Sequence, residues 1–216
     1  LKKRIQEKAK GVVATESRAW QRRELPQEKD YAITILNDLS GSMRGQKIQE
    51  DFKGKIVISE VLNRLSIKTE ILGFNDRLHE YQKFGEMMSN DVREYMGGML
   101  QEVNSSRASW NDDGWALQEA SQRLEKQTAT EKILIVLSDG RPEPSPGHSG
   151  EEYDLKAIVE KIINKTNQKL IGLGIGAGTE HVRSYYPTSL ANVSLKEMAD
   201  NLATLIREVI ANSDQL

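Results

Sequence analysis

The sequence predicts an α/β domain: a mostly parallel sheet of six strands with helices on both faces. Three observations predict it. Short apolar runs alternate along the chain with segments of helical hydrophobic period. The runs are apolar throughout and do not alternate with polar residues, which is how strands read when both faces of a sheet are covered. Several of the runs end in short turns of Asp, Ser and Gly, where open parallel sheets place their binding crevice.

Taken in order, residues 1–30 are polar and rich in Lys, Arg, Glu and Gln. They read as a solvated arm or linker, helical or extended, with a docking arm as the alternative. The domain is expected over 31–216. Tyr31-Ala32-Ile33-Thr34-Ile35-Leu36 is a buried strand, and Asp38-Leu39-Ser40-Gly41-Ser42 turns away from it. Lys47 to Leu65 repeats apolar residues with a helical period at Ile48, Phe52, Ile56, Ile58, Val61, Leu62 and Leu65. Ile67–Phe74 is the next strand, and His79–Phe84 a short one expected to run antiparallel at the edge. Val92–Leu100 reads as a helix weakened by Gly97-Gly98, and Asp113–Leu124 as a further helix.

The most apolar run, Ile133–Leu137, is placed centrally and closes on Ser138-Asp139-Gly140. A Pro/Gly/Ser loop over 142–150 precedes a helix expected from Glu152 to Ile163. Leu170–Ile175 is another strand, and Leu195–Ile210 an amphipathic closing helix.

Composition narrows the function classes. A chain of 216 residues can bury a substantial single core, and its 38% hydrophobic and 29% charged content is ordinary for a soluble domain. A net charge of -2 supplies no general attraction to nucleic acid or to an anionic membrane. No apolar stretch is long enough to span a bilayer. The absence of cysteine excludes disulfides and thiolate metal sites and fits a reducing compartment. His79, His148 and His181 are too scattered for a zinc site. The chain begins at Leu1 with no visible signal peptide, and we expect it to be a fragment of something longer.

The polar turns carry the chemistry. Asp38, Ser40 and Ser42 follow the first strand, Asp139 follows the central one, and Asn111-Asp112-Asp113-Gly114 opens a helix. A carboxylate, hydroxyls and waters suit a small hard cation such as magnesium. Gly41 lets the chain turn so that the Ser40 and Ser42 hydroxyls face inward together. Few carboxylates leave the cation with residual positive charge and an appetite for an anion. Asn111 is read equally as the N-cap of its helix. Gly174-Ile175-Gly176-Ala177-Gly178 lacks the Lys-Ser/Thr of a phosphate-binding loop.

On these residues the chain resembles the von Willebrand factor A family, whose metal-ion-dependent adhesion site carries DxSxS after the first strand, a threonine before a central helix and an aspartate after the fourth strand. Asp38, Ser40, Ser42 and Asp139 match that pattern. Asn111 stands at the threonine position and Asp113 at the next polar one, a departure that adds a carboxylate. The resemblance covers about residues 31–211. It is closest to the bacterial intracellular branch, which includes the cobaltochelatase subunit and the proteins paired with MoxR-type AAA+ ATPases. The segments Val136–Pro142 and Gly174-Ile175-Gly176 with Tyr185-Tyr186-Pro187 also carry it.

The resemblance implies a Rossmann-like fold and a cytoplasmic, non-catalytic module. Its metal ligands would be Asp38, Ser40, Ser42, Asn111, Asp113 and Asp139, with Mg2+ (or Ca2+ or Mn2+) holding an Asp or Glu of an AAA+ ATPase or chelatase subunit. Neither nucleic acid nor membrane is implied as a partner. Two alternatives stand beside it. One is a structural domain with a degenerate site. The other is a magnesium-dependent phosphatase using Asp38 as nucleophile, which would want an acid/base carboxylate where this chain has Ser40.

Overall fold

The computed structural model describes residues 30–194 together with 200, 201 and 204. The expected N-terminal arm, apart from Asp30, and nearly all of the closing helix expected over 195–210 lie outside the described residues. Within them run β1 (Tyr31–Asp38), α1 (Gln46–Arg64), β2 (Lys68–Phe74), β3 (Leu78–Gln82), α2 (Asn90–Met96), α3 (Met99–Glu102) and α4 (Asp113–Glu125). They continue with β4 (Glu131–Ser138), α5 (Leu155–Lys165), β5 (Gln168–Ile175), α6 (Val182–Tyr185) and β6 (Thr188–Val193).

The strands form one six-stranded sheet in the order β3-β2-β1-β4-β5-β6. All neighbours pair in parallel except β2 and β3, which are antiparallel at one edge. The apolar runs have the cause expected of them. Successive residues of a strand point to opposite faces, and here both faces are covered. Ile33 and Ile35 of β1 join Ile133, Ile135 and Leu137 of β4 under Ile48, Ile58 and Leu62 of α1. Ala32 and Leu36, with Leu134 and Val136, pack on the other face against Ala116, Leu117, Ala120 and Leu124 of α4 and Ile158 and Ile162 of α5. Filling both faces leaves β1 and β4 in the middle of the sheet with their carboxyl ends side by side, Asn37 paired with Leu137.

Four local expectations are corrected. Val61 and Leu65 do not belong to the buried stripe of α1; they are 42% and 64% exposed. Asp51 and Lys55 are buried in that helix instead. The helix expected over Val92–Leu100 breaks at Gly97-Gly98 into α2 and α3. The helix expected from Glu152 starts later. Glu151–Tyr153 is a single 3-10 turn, and Asp154 caps α5 by accepting from the Ala157 N–H at 2.9 Å. The sixth strand, not located from sequence, is Thr188–Val193, an edge strand that is half exposed.

Candidate metal centre

Asp38 is the last residue of β1 and is wholly buried. Its Oδ1 accepts the Ser40 backbone N–H at 2.7 Å. Its Oδ2 accepts the Ser138 hydroxyl at 3.0 Å and the Asn111 side-chain amide at 3.1 Å. Ser42 Oγ donates to Asp139 Oδ1 at 2.6 Å and lies 2.8 Å from Ser40 Oγ. Because the one hydroxyl hydrogen of Ser42 is spent on Asp139, Ser40 must be the donor to Ser42. A chain of oxygens therefore runs Ser40, Ser42, Asp139 across the gap between the two strands. Lys47, in the first turn of α1, forms an ion pair with Asp139 Oδ2. His181 Nε2 donates to the Gly140 carbonyl at 2.6 Å and holds the turn after Asp139 from the β5 side.

The electrostatics of the cluster favour a cation. Burial, then the nearby Asp139 charge, raise the Asp38 carboxyl from its usual 3.8 to about 6, against the hydrogen bonds it accepts. Asp113 is raised well above the ordinary carboxylate range by burial, with Asp38 and Asp112 adding to it. Within the cluster Asn111 Oδ1 is an acceptor buried without any partner. An unpaired buried acceptor of this kind costs about 1–3 kcal/mol, and a cation would relieve that cost. Among the described residues no trio of His, Cys, Asp and Glu side chains converges to hold a metal. The donor set is one of carboxylate, hydroxyl and amide oxygens, which fits magnesium or calcium better than a nitrogen- or sulfur-seeking ion.

The loop 142–150 is strapped to the start of α4. Asn111 and Glu143 exchange backbone hydrogen bonds of 2.8 and 3.2 Å in an isolated antiparallel bridge. The buried Asp112 carboxylate accepts the Ser145 N–H at 2.5 Å and its hydroxyl at 2.8 Å, and pairs with His148 Nδ1 at 2.5 Å. His148 stacks on Trp115 with ring centroids 4.2 Å apart. This is no nucleophilic Ser-His-Asp relay, because Ser145 gives its hydroxyl hydrogen to Asp112 and lies on the same imidazole nitrogen as the carboxylate. It is a latch that fixes Asn111 and its neighbours.

Of the residues singled out from sequence, Asp38, Ser40, Ser42, Asn111 and Asp139 meet in one hydrogen-bonded cluster. Asp113 makes no hydrogen bond to any of them and sits in the wall of the next cleft. Trp110 and Trp115 line different depressions. Sequence reasoning missed Ser138 as a support for Asp38, Lys47 as the partner of Asp139, and the Asp112 latch. Ser138 stood inside the Ser-Asp-Gly turn and was the one legible signal; Lys47 and His148 looked like ordinary solvated residues.

A six-stranded sheet with a DxSxS turn beside an aspartate that directly follows the neighbouring strand defines a von Willebrand factor A-type domain. The family model described as "Cobalamin biosynthesis protein CobT VWA domain" matches residues 19–104 and 79–212, and the chain belongs to that family. A curated relative, the Bacillus subtilis (strain 168) "Uncharacterized protein YojO", is 27% identical over 131 residues. That match takes in 57% of this chain and 20% of the relative, so the chain spans about a fifth of that protein's length.

Solved structures share the fold. The pilus adhesin SpaC of Lactobacillus rhamnosus GG superposes with a TM-score of 0.63 at 15% identity, over 86% of this chain and 31% of that one. The proximal thread matrix protein 1 of the mussel byssus, in a form described as having a zinc-occupied MIDAS motif, gives 0.59 at 16% identity over 82% of this chain and 47% of its own. A von Willebrand factor type A protein from Catenulispora acidiphila gives 0.56 at 14%, over 82% and 42%.

Proposed function

We propose that this domain binds one divalent cation, magnesium by the hardness of its oxygen donors, and uses it to hold an Asp or Glu side chain of a protein partner. Asp38, Ser40, Ser42, Asn111 and Asp139 would hold the ion, with the buried Asp113 near Asp38. The carrying observation is the convergence of Asp38 and the Ser40–Ser42–Asp139 oxygen chain on one rim of the sheet. The cation supplies residual positive charge at the surface, the strongest local field for an acidic side chain. The protein's own residues do the rest. Ser138 and the Ser40 N–H orient Asp38, His181 steadies the turn after Asp139, and the exposed Ser42 marks the open side.

The partner class we propose is an AAA+ ATPase or chelatase subunit, with this domain as a non-catalytic component acting in the cytoplasm. The family description supports that reading. No helix among the described residues is long and apolar enough to cross a membrane. Calcium or manganese would fit the same oxygens.

One observation favours a second reading, a structural domain with a degenerate site. The Lys47 ammonium already sits on Asp139 and could serve as an internal cation. Binding of the chain to a candidate AAA+ or chelatase subunit, by calorimetry or pull-down with magnesium and with chelator, separates the two. The metal-bridge reading expects binding with magnesium, its loss with chelator, and its loss in Asp38→Ala, with Asn111→Thr keeping or strengthening it. Equal binding in both conditions, unchanged by Asp38→Ala, would rule it out.

A further inference from the structure

Beside the metal-site cluster, across the Asn111–Glu143 bridge, lies a second depression of about 630 Å³. It is lined by Trp115, His148, Tyr153 and Tyr185 and by Asp113, Glu151 and Asp154, and among the described residues no lysine or arginine lines it. The hydroxyl-floored depression over Ser40 and Ser42 differs, for Arg141 lines it.

We infer that this cleft is a cation-accepting subsite, built to take an arginine side chain of a polypeptide partner. Charge complementarity is the first argument: its fixed charge is acidic, and the His148 ring, on the Asp112 carboxylate, brings no unmatched positive charge. The second is an unpaired acceptor. Asp113 is 4% exposed, lines the cleft, and its Oδ2 has no hydrogen-bond partner. A buried carboxylate oxygen left in that state wants an N–H donor bearing charge.

The third argument is preformed shape. A Cβ at Gly114 would come within 1.8 Å of the Tyr153 carbonyl oxygen, so the Glu151–Tyr153 turn is seated directly on the start of α4. The rings are fixed too, Trp115 stacked on His148 at an interplanar angle of 7° and Tyr153 edge-on to it at 89°. A planar guanidinium can lie against such rings while it donates to carboxylates, which a compact ammonium does less well. The cleft itself stands independently of the metal. Only its pairing with a metal-held carboxylate, so that one partner would present an acidic and a basic residue together, rests on the function proposed above.

The test uses the full chain, 15N-labelled, titrated with Nα-acetylarginine amide and with its neutral isostere Nα-acetylcitrulline amide, each in magnesium and in EDTA. The arginine probe is expected to shift the Trp115 indole and the Ser149 and Gly150 amide resonances in both buffers, and to bind about tenfold more tightly than citrulline. Glu151→Gln, at an exposed position, and Asp113→Asn are each expected to weaken it about threefold or more. Equal binding of the two probes, shifts that map elsewhere, or indifference to both substitutions would overturn the inference. Because the EDTA arm omits the cation, failure of magnesium binding leaves this result intact, and failure here leaves the metal reading intact.

Discussion

Two groups of buried carboxylates lie close to one another under the carboxyl edge of the sheet, and they are supplied differently. Under α1, Asp51 and Lys55 are 0% and 1% exposed, form an ion pair, and Lys55 Nζ also donates to Asn37 Oδ1 at 2.8 Å. Burial pushes Asp51 up and Lys55 down, and each one's charge opposes the shift of the other. At the rim, Asp38 and Asp113 are also buried, yet among the described residues neither touches an ammonium or guanidinium group. The first group carries its own counter-charge, with Asp51 Oδ2 and Asn37 Nδ2 left unpaired, and belongs to the architecture. The second is short of positive charge and open toward solvent through Ser42, which is the condition for recruiting a cation from outside.

The contrast breaks most visibly at Lys55. Lys55→Met strands the Asp51 carboxylate in the core, and removing one member of a buried pair costs about 3–5 kcal/mol. Urea unfolding should show that loss, and adding Asp51→Leu should recover most of it. A loss under about 1 kcal/mol, small against the 3–5 kcal/mol a stranded buried charge costs, would mean that Asp51 does not depend on Lys55 for its counter-charge.

The rim cluster should respond to pH through Asp38. The Asp38 carboxyl is raised to about 6 from 3.8, so the folded chain holds this proton more tightly than the unfolded chain does. Without divalent cation, this group's contribution to stability is full below about pH 4 and falls away as pH rises through about 6. A cation replaces the proton, so magnesium affinity should rise from pH 5 to 7. Calorimetric titrations at both pH values check this, and an affinity that does not change would contradict it.

Lys47 separates the two groups and gives the smallest effect. Its side chain is 35% exposed, so losing the ion pair with Asp139 in Lys47→Met should cost less than about 1 kcal/mol of stability. The same substitution withdraws a competing positive charge from Asp139, and magnesium should bind several-fold more tightly. If affinity falls instead, Lys47 is supporting the cation site and not competing with it.

How much of this could be read from the chain follows the same division. The adjacency of the strands ending in Asp38 and Ser138 was legible, because doubly buried strands announce themselves as apolar runs and the Asp, Ser and Gly turns mark their ends. The antiparallel edge at β3 was legible as well. Asp51 and Lys55 were not, since a carboxylate and an amine four residues apart on a helix look like a solvated pair. Their burial follows from what packs above α1, which sequence does not display. Edge strand β6 escaped for a related reason, as Thr188–Val193 is half exposed and lacks an apolar run. The Asp112 latch joins residues more than thirty positions apart and left no local pattern.

The central claim is that the cluster at the rim, and not another carboxylate group, takes a divalent cation. Substoichiometric Mn2+ added to the 15N-labelled chain tests it directly, because a bound paramagnetic ion broadens only nearby amide resonances. The expected result is selective broadening of Ser40, Ser42, Asn111, Asp139 and Gly140, reversed by excess magnesium and absent in Asp38→Ala. Broadening centred elsewhere, or the same pattern surviving in Asp38→Ala, would contradict it.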